Sequence, residues 1–157
     1  MSAPTVRTML PDHREAVIAL LLASDPWTTL GYTRADWDRY FNPLPQDRDT
    51  FVAERSGAVV GVAVLRSKFL RGDYLELLGV SMAARQSGIG RLLLTHAESI
   101  AFQRGPHLFA CVSDFNQPAR RFYRQQGYRE VGEISGLLKP GFSEILLHKT
   151  ADSKRNF

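Results

Sequence analysis

Val80-Ser81-Met82-Ala83-Ala84-Arg85-Gln86-Ser87-Gly88-Ile89-Gly90-Arg91 carries the chain from an apolar run through a short loop into a long amphipathic segment. Upstream, Tyr74 to Ser81 reads as a strand. Downstream, Ile89, Leu92, Leu93, Ala97, Ile100 and Ala101 recur at the 3.6-residue period, so Ile89 to Arg104 is expected to be a helix, stopped at Gly105-Pro106. Gly88 and Gly90 let the backbone approach a ligand closely. The first helical turn offers unpaired N–H groups and the positive end of the helix dipole. A strand, a glycine loop and a helix start make an anion site suited to a pyrophosphate, with Arg85 and Arg91 adding charge. The loop is no Walker motif, because no Gly-Lys-Ser/Thr follows. It is no dinucleotide fingerprint either, because Leu93 stands where the third glycine is needed. Taken alone, it also describes a tight strand-to-helix turn.

A second stretch removes that ambiguity. Ser113-Asp114-Phe115-Asn116-Gln117-Pro118-Ala119-Arg120-Arg121-Phe122-Tyr123-Arg124-Gln125-Gln126-Gly127-Tyr128 follows the expected strand His107 to Val112. It predicts a helix capped by Asn116, with Pro118 in its first turn and Gly127 just beyond its end. Elsewhere Val6 to Met9, Thr50 to Glu54, Ala58 to Leu65, Tyr128 to Gly132 and Glu144 to Lys149 read as strands. Arg55-Ser56-Gly57 reads as a tight hairpin turn. A first helix begins near Asp12, with Asp12 and Glu15 at capping positions and Ala16, Val17, Leu20 and Leu21 as its buried face. Asp25-Pro26 ends it. A second helix runs from Thr33 to Phe41, capped by Thr33 and Asp36. The order is β-α-α-β-β-β-α-β-α-β-β, which argues an α+β fold with a mixed sheet.

On these two stretches the chain resembles the GNAT superfamily of acyl-coenzyme-A-dependent N-acetyltransferases. The family's Arg/Gln-x-x-Gly-x-Gly/Ala motif is matched by Arg85-Gln86-Ser87-Gly88-Ile89-Gly90. Its Asn-x-x-Ala-x-x-Phe/Leu-Tyr-x-x-x-Gly-Phe/Tyr motif is matched by Asn116, Ala119, Phe122, Tyr123, Gly127 and Tyr128. The resemblance implies a twisted, mostly antiparallel sheet of six or seven strands with helices on both faces. Acetyl-coenzyme A is then the co-substrate, its pyrophosphate on the amides of Gln86, Ser87, Gly88, Ile89, Gly90 and Arg91. Its pantetheine arm pairs with Leu78, Gly79 and Val80, where the fourth and fifth strands splay, and meets Asn116. Tyr123 protonates the leaving thiolate. The acceptor is a small-molecule or peptide amine, and the protein is a monomer or homodimer.

The acceptor arrives as an ammonium and must lose a proton before attack. Glu76, a carboxylate inside the apolar run Tyr74-Leu75-Glu76-Leu77-Leu78, is the candidate base; its alternative is a structural pairing with an arginine. Some family members carry the base on the strand before Asn116, where this chain has Cys111. That cysteine reads as a small buried residue rather than a nucleophile. Asp25, Trp27 and Tyr32, between the first two helices, are candidates for an acidic, aromatic acceptor lip, although Trp27 and Leu30 equally suit a core plug. The last hairpin, with Gly136, Pro140, Gly141 and Phe142, is the implied opposite wall. The alternatives are a coenzyme-A-binding module without turnover, or an acyltransferase using another donor such as succinyl-coenzyme A.

Composition is consistent with one domain over residues 1–157, ending in a polar tail from Thr150 to Phe157. The chain has 157 residues, 44% of them hydrophobic, enough to bury a core. Its longest apolar run, Ala16 to Ala23, is eight residues, well short of the roughly 20 a membrane span needs. Cys111 is the single cysteine, so no disulfide or multi-cysteine zinc site forms within the chain, and a cytoplasmic setting is expected. His107 and His148 fall on strands without a partner pattern, and no metal is expected. Sixteen arginines and four lysines against 16 acids give a net charge of +4 without a basic stripe, so no nucleic-acid partner is expected.

Overall fold

The computed structural model describes residues 2–151. Seven strands form one sheet: β1 (Thr5–Thr8), β2 (Arg48–Arg55), β3 (Ala58–Phe69), β4 (Gly72–Val80), β5 (His107–Ser113), β6 (Arg129–Ser135) and β7 (Ser143–Thr150). Their order across the sheet is β1-β2-β3-β4-β5-β7-β6. The pairing of β4 with β5 is parallel and the others are antiparallel. This is the expected mixed, mostly antiparallel α+β sheet. Ser56 and Gly57 both have positive φ, 53° and 80°, the conformation of a two-residue I′ turn that matches strand twist.

Helices cover both faces. Helices α4 (Ile89–Arg104) and α5 (Gln117–Gln125) pack against one, burying Ile89, Leu93, Leu94, Ala97, Ala101 and Tyr123 against Ala63, Leu65, Leu75, Leu108 and Leu147. Helices α1 (Arg14–Leu22), α2 (Trp27–Leu30) and α3 (Arg34–Phe41) cover the β2–β4 part of the other. There Val17, Ile18, Leu21, Trp27, Trp37 and Phe41 meet Val52, Val62, Val64 and Leu77.

Several local expectations change. The first helix is entered through a 3-10 turn, Pro11–His13, in which His13 Nδ1 accepts the Leu10 N–H at 2.9 Å; Asp12 does not cap it. Ile18 is buried and Ala16 exposed. Helix α2 is an extra single turn that the sequence did not announce. Leu94 is fully buried on α4, where Leu92 is only half-buried. Thr150 is no tail: it ends β7 opposite His107, and Ala151 is buried with its N–H on the Pro106 carbonyl at 2.8 Å. The rest of the expected tail, 152–157, lies outside the described residues. Other expectations hold. Thr33 Oγ1 accepts the Asp36 N–H while Asp36 Oδ2 accepts the Thr33 N–H, and Asn116 Oδ1 caps α5 by accepting the Ala119 N–H at 3.3 Å.

The feature that builds the site is in the middle of the sheet. Strands β4 and β5 pair from Gly72/His107 to Leu75/Ala110, and no further. Beyond that point β4 continues to Val80 and β5 to Ser113, unpaired with each other. At the parting, β4 carries one extra residue: Leu65 pairs with Leu75 and Val64 with Leu77, so Glu76 is a bulge. A bulge bends its strand and re-aims its side chains.

Candidate active site

Two cavities meet in the gap between β4 and β5. The larger, about 640 Å³, runs along Leu78-Gly79-Val80 to the 84–91 loop and the start of α5. The smaller, about 270 Å³, lies against Tyr74 to Leu78 of β4, Cys111 to Ser113 of β5 and Glu144 of β7. Tyr123, Asn116, Leu78 and Trp27 line both.

The larger cavity suits a polyanion. Arg85, Gln86, Gly88, Ile89, Gly90 and Arg91 line it, as do Pro118, Arg121 and Gln125 of α5, which sequence reading did not pick out. Gln86 (φ 62°) and Gly88 (φ 85°) hold the loop's left-handed positions. Gly90 is ordinary helix, and a Cβ there would meet Phe122 at 3.5 Å. Only one of the two glycines is therefore required by backbone conformation. Ser87 Oγ donates to the Ala84 carbonyl, which ties the loop to the 3-10 turn Met82–Ala84. The open N–H groups of the first turn of α4 and three arginines make this end electropositive. Past Leu75, the β5-facing edge of β4 has lost its strand partner, leaving room for an extended arm to pair there.

Tyr123 stands at the junction. It is 6% exposed, packed in the α4/α5 core beside Phe122 and Tyr128. Burial pushes its pKa well up, so the hydroxyl stays protonated at neutral pH and can donate. Asn116 uses Oδ1 for the α5 cap, which fixes the side chain at the same junction.

The smaller cavity holds two carboxylates in opposite states. Glu76 accepts from Tyr40 Oη and from Arg66 Nε at 3.1 Å, and Arg48 Nε lies 3.2 Å away. It is the arginine-paired carboxylate of the alternative reading. Glu144 was not anticipated. It is 3% exposed and accepts one bond, from Ser113 Oγ at 2.7 Å. Burial raises its pKa, the Ser113 bond opposes that, and nearby Asp114 adds to the rise. The signal available in sequence was an acid directly before the apolar run Ile145-Leu146-Leu147. Without the register Ser113↔Glu144, nothing located it. Cys111 is half-buried, and burial raises its thiol pKa.

The three residues of the proposed lip are spread out. Trp27 lines both cavities and also closes the core, lying where a Cβ on Gly79 would meet it at 3.3 Å. Asp25 lines the larger cavity. Its Oδ1 accepts from Thr28 and Thr29, bonds that lower its pKa, and Arg85 adds a little. Tyr32 lines neither cavity. It stacks on Trp37 at 5.1 Å, and Lys139 Nζ sits 4.8 Å from its ring centre, linking the α2–α3 connection to the β6–β7 loop. That loop contributes Leu137 and Leu138 to the smaller cavity.

His107 and His148 do pair: Nδ1 of the first lies 2.8 Å from Nε2 of the second. Among the described residues no group of three or more His, Cys, Asp or Glu is placed to hold a metal. Nor is any helix among them long and apolar enough to cross a membrane.

Comparison with known proteins agrees with this geometry. The family model for the acetyltransferase (GNAT) family matches residues 15–128, from α1 through the loop, α4 and α5. The peptidyl-lysine N-acetyltransferase YiaC of Escherichia coli (strain K12) is 31% identical over 121 residues, 74% of this chain and 77% of that protein. Streptothricin acetyltransferase of Streptomyces lavendulae is 37% identical over 101 residues, 62% of this chain and 53% of that protein. The crystal structure of nourseothricin acetyltransferase has a TM-score of 0.75 at 25% identity, covering 95% of this chain and 99% of that one. With the family's loop, helix and tyrosine gathered at one strand gap, the chain belongs to the GNAT family of acetyltransferases.

Proposed function

We propose that the protein moves the acetyl group of acetyl-coenzyme A to a primary amine by direct attack, with both substrates bound together. The observation that carries this reading is the junction at Tyr123. Tyr123 lines both a larger electropositive cleft and a smaller acid-containing one.

Acetyl-coenzyme A supplies an activated thioester. The residues present fit it: N–H groups of the loop with Arg85, Arg91 and Arg121 toward its phosphates, and the free edge of Leu78 to Val80 toward its amide-bearing arm. Tyr123 holds a proton against the departing sulfur. A hydroxyl whose proton stays on at neutral pH lowers the barrier for a thiol of pKa roughly 8.5 to leave. Cys111 has the wrong character for a covalent route, since its thiol is shifted away from the thiolate. This favours direct transfer. Glu76 is committed to Tyr40, Arg48 and Arg66, which take up its carboxylate oxygens. We assign it to holding the bulge that parts the strands.

Calorimetric titration with acetyl-coenzyme A, beside coenzyme A and succinyl-coenzyme A, tests the reading. Micromolar binding of the acetyl form, followed by amine-dependent thiol release, is expected. Preference for the succinyl form would change the donor, and no binding to any of the three would overturn the reading.

A further inference from the structure

Glu144 is the anomaly in the smaller cavity. A carboxylate this buried is costly unless a cation or several donors compensate it. Glu76, on the same cavity, has its donors. Glu144 has the Ser113 hydroxyl alone. Among the described residues no ion pair within 4.0 Å involves it, and its one side-chain hydrogen bond uses Oε2. The other ionisable groups around it are Asp114 just after β5, Cys111 of β5, Tyr74 and Glu76 of β4 and Tyr32 before α3. None supplies a positive charge. The remaining walls are largely apolar, with Trp27, Leu77, Val112, Leu137 and Leu138 around it.

We propose that Glu144 is the acceptor's docking group and proton acceptor, and that the acceptor is a primary alkylammonium carried on an apolar stem. The inference rests on the amine-acetylation reading above. The ammonium supplies the counter-charge that the fold withholds, and its methylene stem lies along the apolar walls. One ammonium proton then passes to the Glu144 carboxylate. The freed lone pair bonds to the thioester carbonyl carbon as the carbon–sulfur bond breaks. Tyr123 gives its proton to the thiolate and regains one from the nitrogen, which becomes the amide. Glu144 releases its proton to solvent. An amino sugar, with hydroxyls to satisfy along its length, fits such a cavity poorly.

The test compares the parent protein with Glu144→Gln and Glu144→Asp, using n-pentylamine and glucosamine as acceptors. Acetyl-coenzyme A binding is measured separately by calorimetry, so a failed cofactor reading registers there and not in the variants. The parent is expected to prefer n-pentylamine in kcat/KM by at least about tenfold. Glu144→Gln should bind acetyl-coenzyme A normally and lose about 10²-fold in kcat/KM at pH 7. Its rate should then climb about tenfold per pH unit, following the free-amine fraction, so the deficit shrinks toward pH 9. Glu144→Asp should keep the parent's pH profile at reduced rate. Equal use of both amines, or no use of n-pentylamine by a protein that binds acetyl-coenzyme A, overturns the acceptor class. A Gln variant within twofold of the parent, or one whose deficit is the same at every pH, overturns the role of Glu144. Should Glu144→Gln fail to fold, the Asp variant decides: loss of its acidic limb would overturn the proposal.

Discussion

Leu75 and Leu77 stand two residues apart on one strand and face opposite sides of the sheet. Leu75 packs with α4 and Leu77 with α1 and α3. In a regular strand, residues i and i+2 share a face. The bulge at Glu76 breaks that rule, and the pairing of β4 with β5 ends one residue before it.

Glu76 is therefore expected to matter for stability more than for proton transfer. Its side chain is 19% exposed and faces two arginines and a tyrosine. Removing it in Glu76→Ala should cost about 2 kcal/mol, measured by urea denaturation, because charged hydrogen bonds are lost. Glu76→Gln should lower stability less and leave the acidic limb of the kcat/KM profile in place. If that limb disappears in Glu76→Gln, the base belongs to Glu76 after all.

Tyr123→Phe keeps the ring that packs against Phe122 and Tyr128 and removes only the hydroxyl. Turnover should fall by about 10²-fold or more, the usual weight of a general acid. Calorimetric affinity for acetyl-coenzyme A should stay within about twofold, since the proposed binding rests on the loop and its arginines. Unchanged turnover would remove Tyr123 from the chemistry.

Gly72 fixes where the two strands begin to pair. A Cβ there would lie 2.0 Å from the His107 carbonyl oxygen, which is backbone and cannot move aside alone. Gly72→Ala should destabilise by about 3 kcal/mol, as severe overpacking does. It should also weaken cofactor binding by shifting the gap. Gly88→Ala is the contrast: φ is +85° but a Cβ meets nothing within 4 Å. Its stability cost should be smaller, about 1–2 kcal/mol from the left-handed backbone. Equal losses in the two variants would contradict this account.

The His107–His148 pair makes stability depend on pH. Burial, and then the charges of His107 and Arg129, lower the pKa of His148. The unfolded chain therefore takes up a proton before the folded one does. The pair's contribution is complete above the ordinary histidine value, about 6.5, and is lost as pH falls through the depressed folded value. Urea midpoints from pH 8 to pH 5 should fall on this limb. In His148→Gln the slope between pH 6.5 and pH 5 should be shallower.

Much of the molecule is legible from local rules. The 3.6-residue period drew α4, with its face displaced only from Leu92 to Leu94. Side-chain caps gave the starts of α3 and α5, and Ser56-Gly57 gave a hairpin. The loop from Arg85 to Gly90 and the helix from Asn116 to Tyr123 were each legible as local elements, and the resemblance to the family joined them into one cleft. Each of these depends on neighbours within a few residues, so sequence order suffices to determine them. What depends on residues far apart in the chain was not available. Whether Glu76 is paired is decided by Tyr40, Arg48 and Arg66 on three other elements. His107 finds His148 across a strand register. Glu144 becomes a buried acid without a counter-charge only when β7 is laid against β5, opposite Ser113. Charge state and partnership are properties of that assembled environment, because desolvation and Coulomb interaction act through space. The sequence thus determined the elements and the two family motifs; tertiary packing alone decided which of two carboxylates is paired with arginines and which has only the Ser113 hydroxyl.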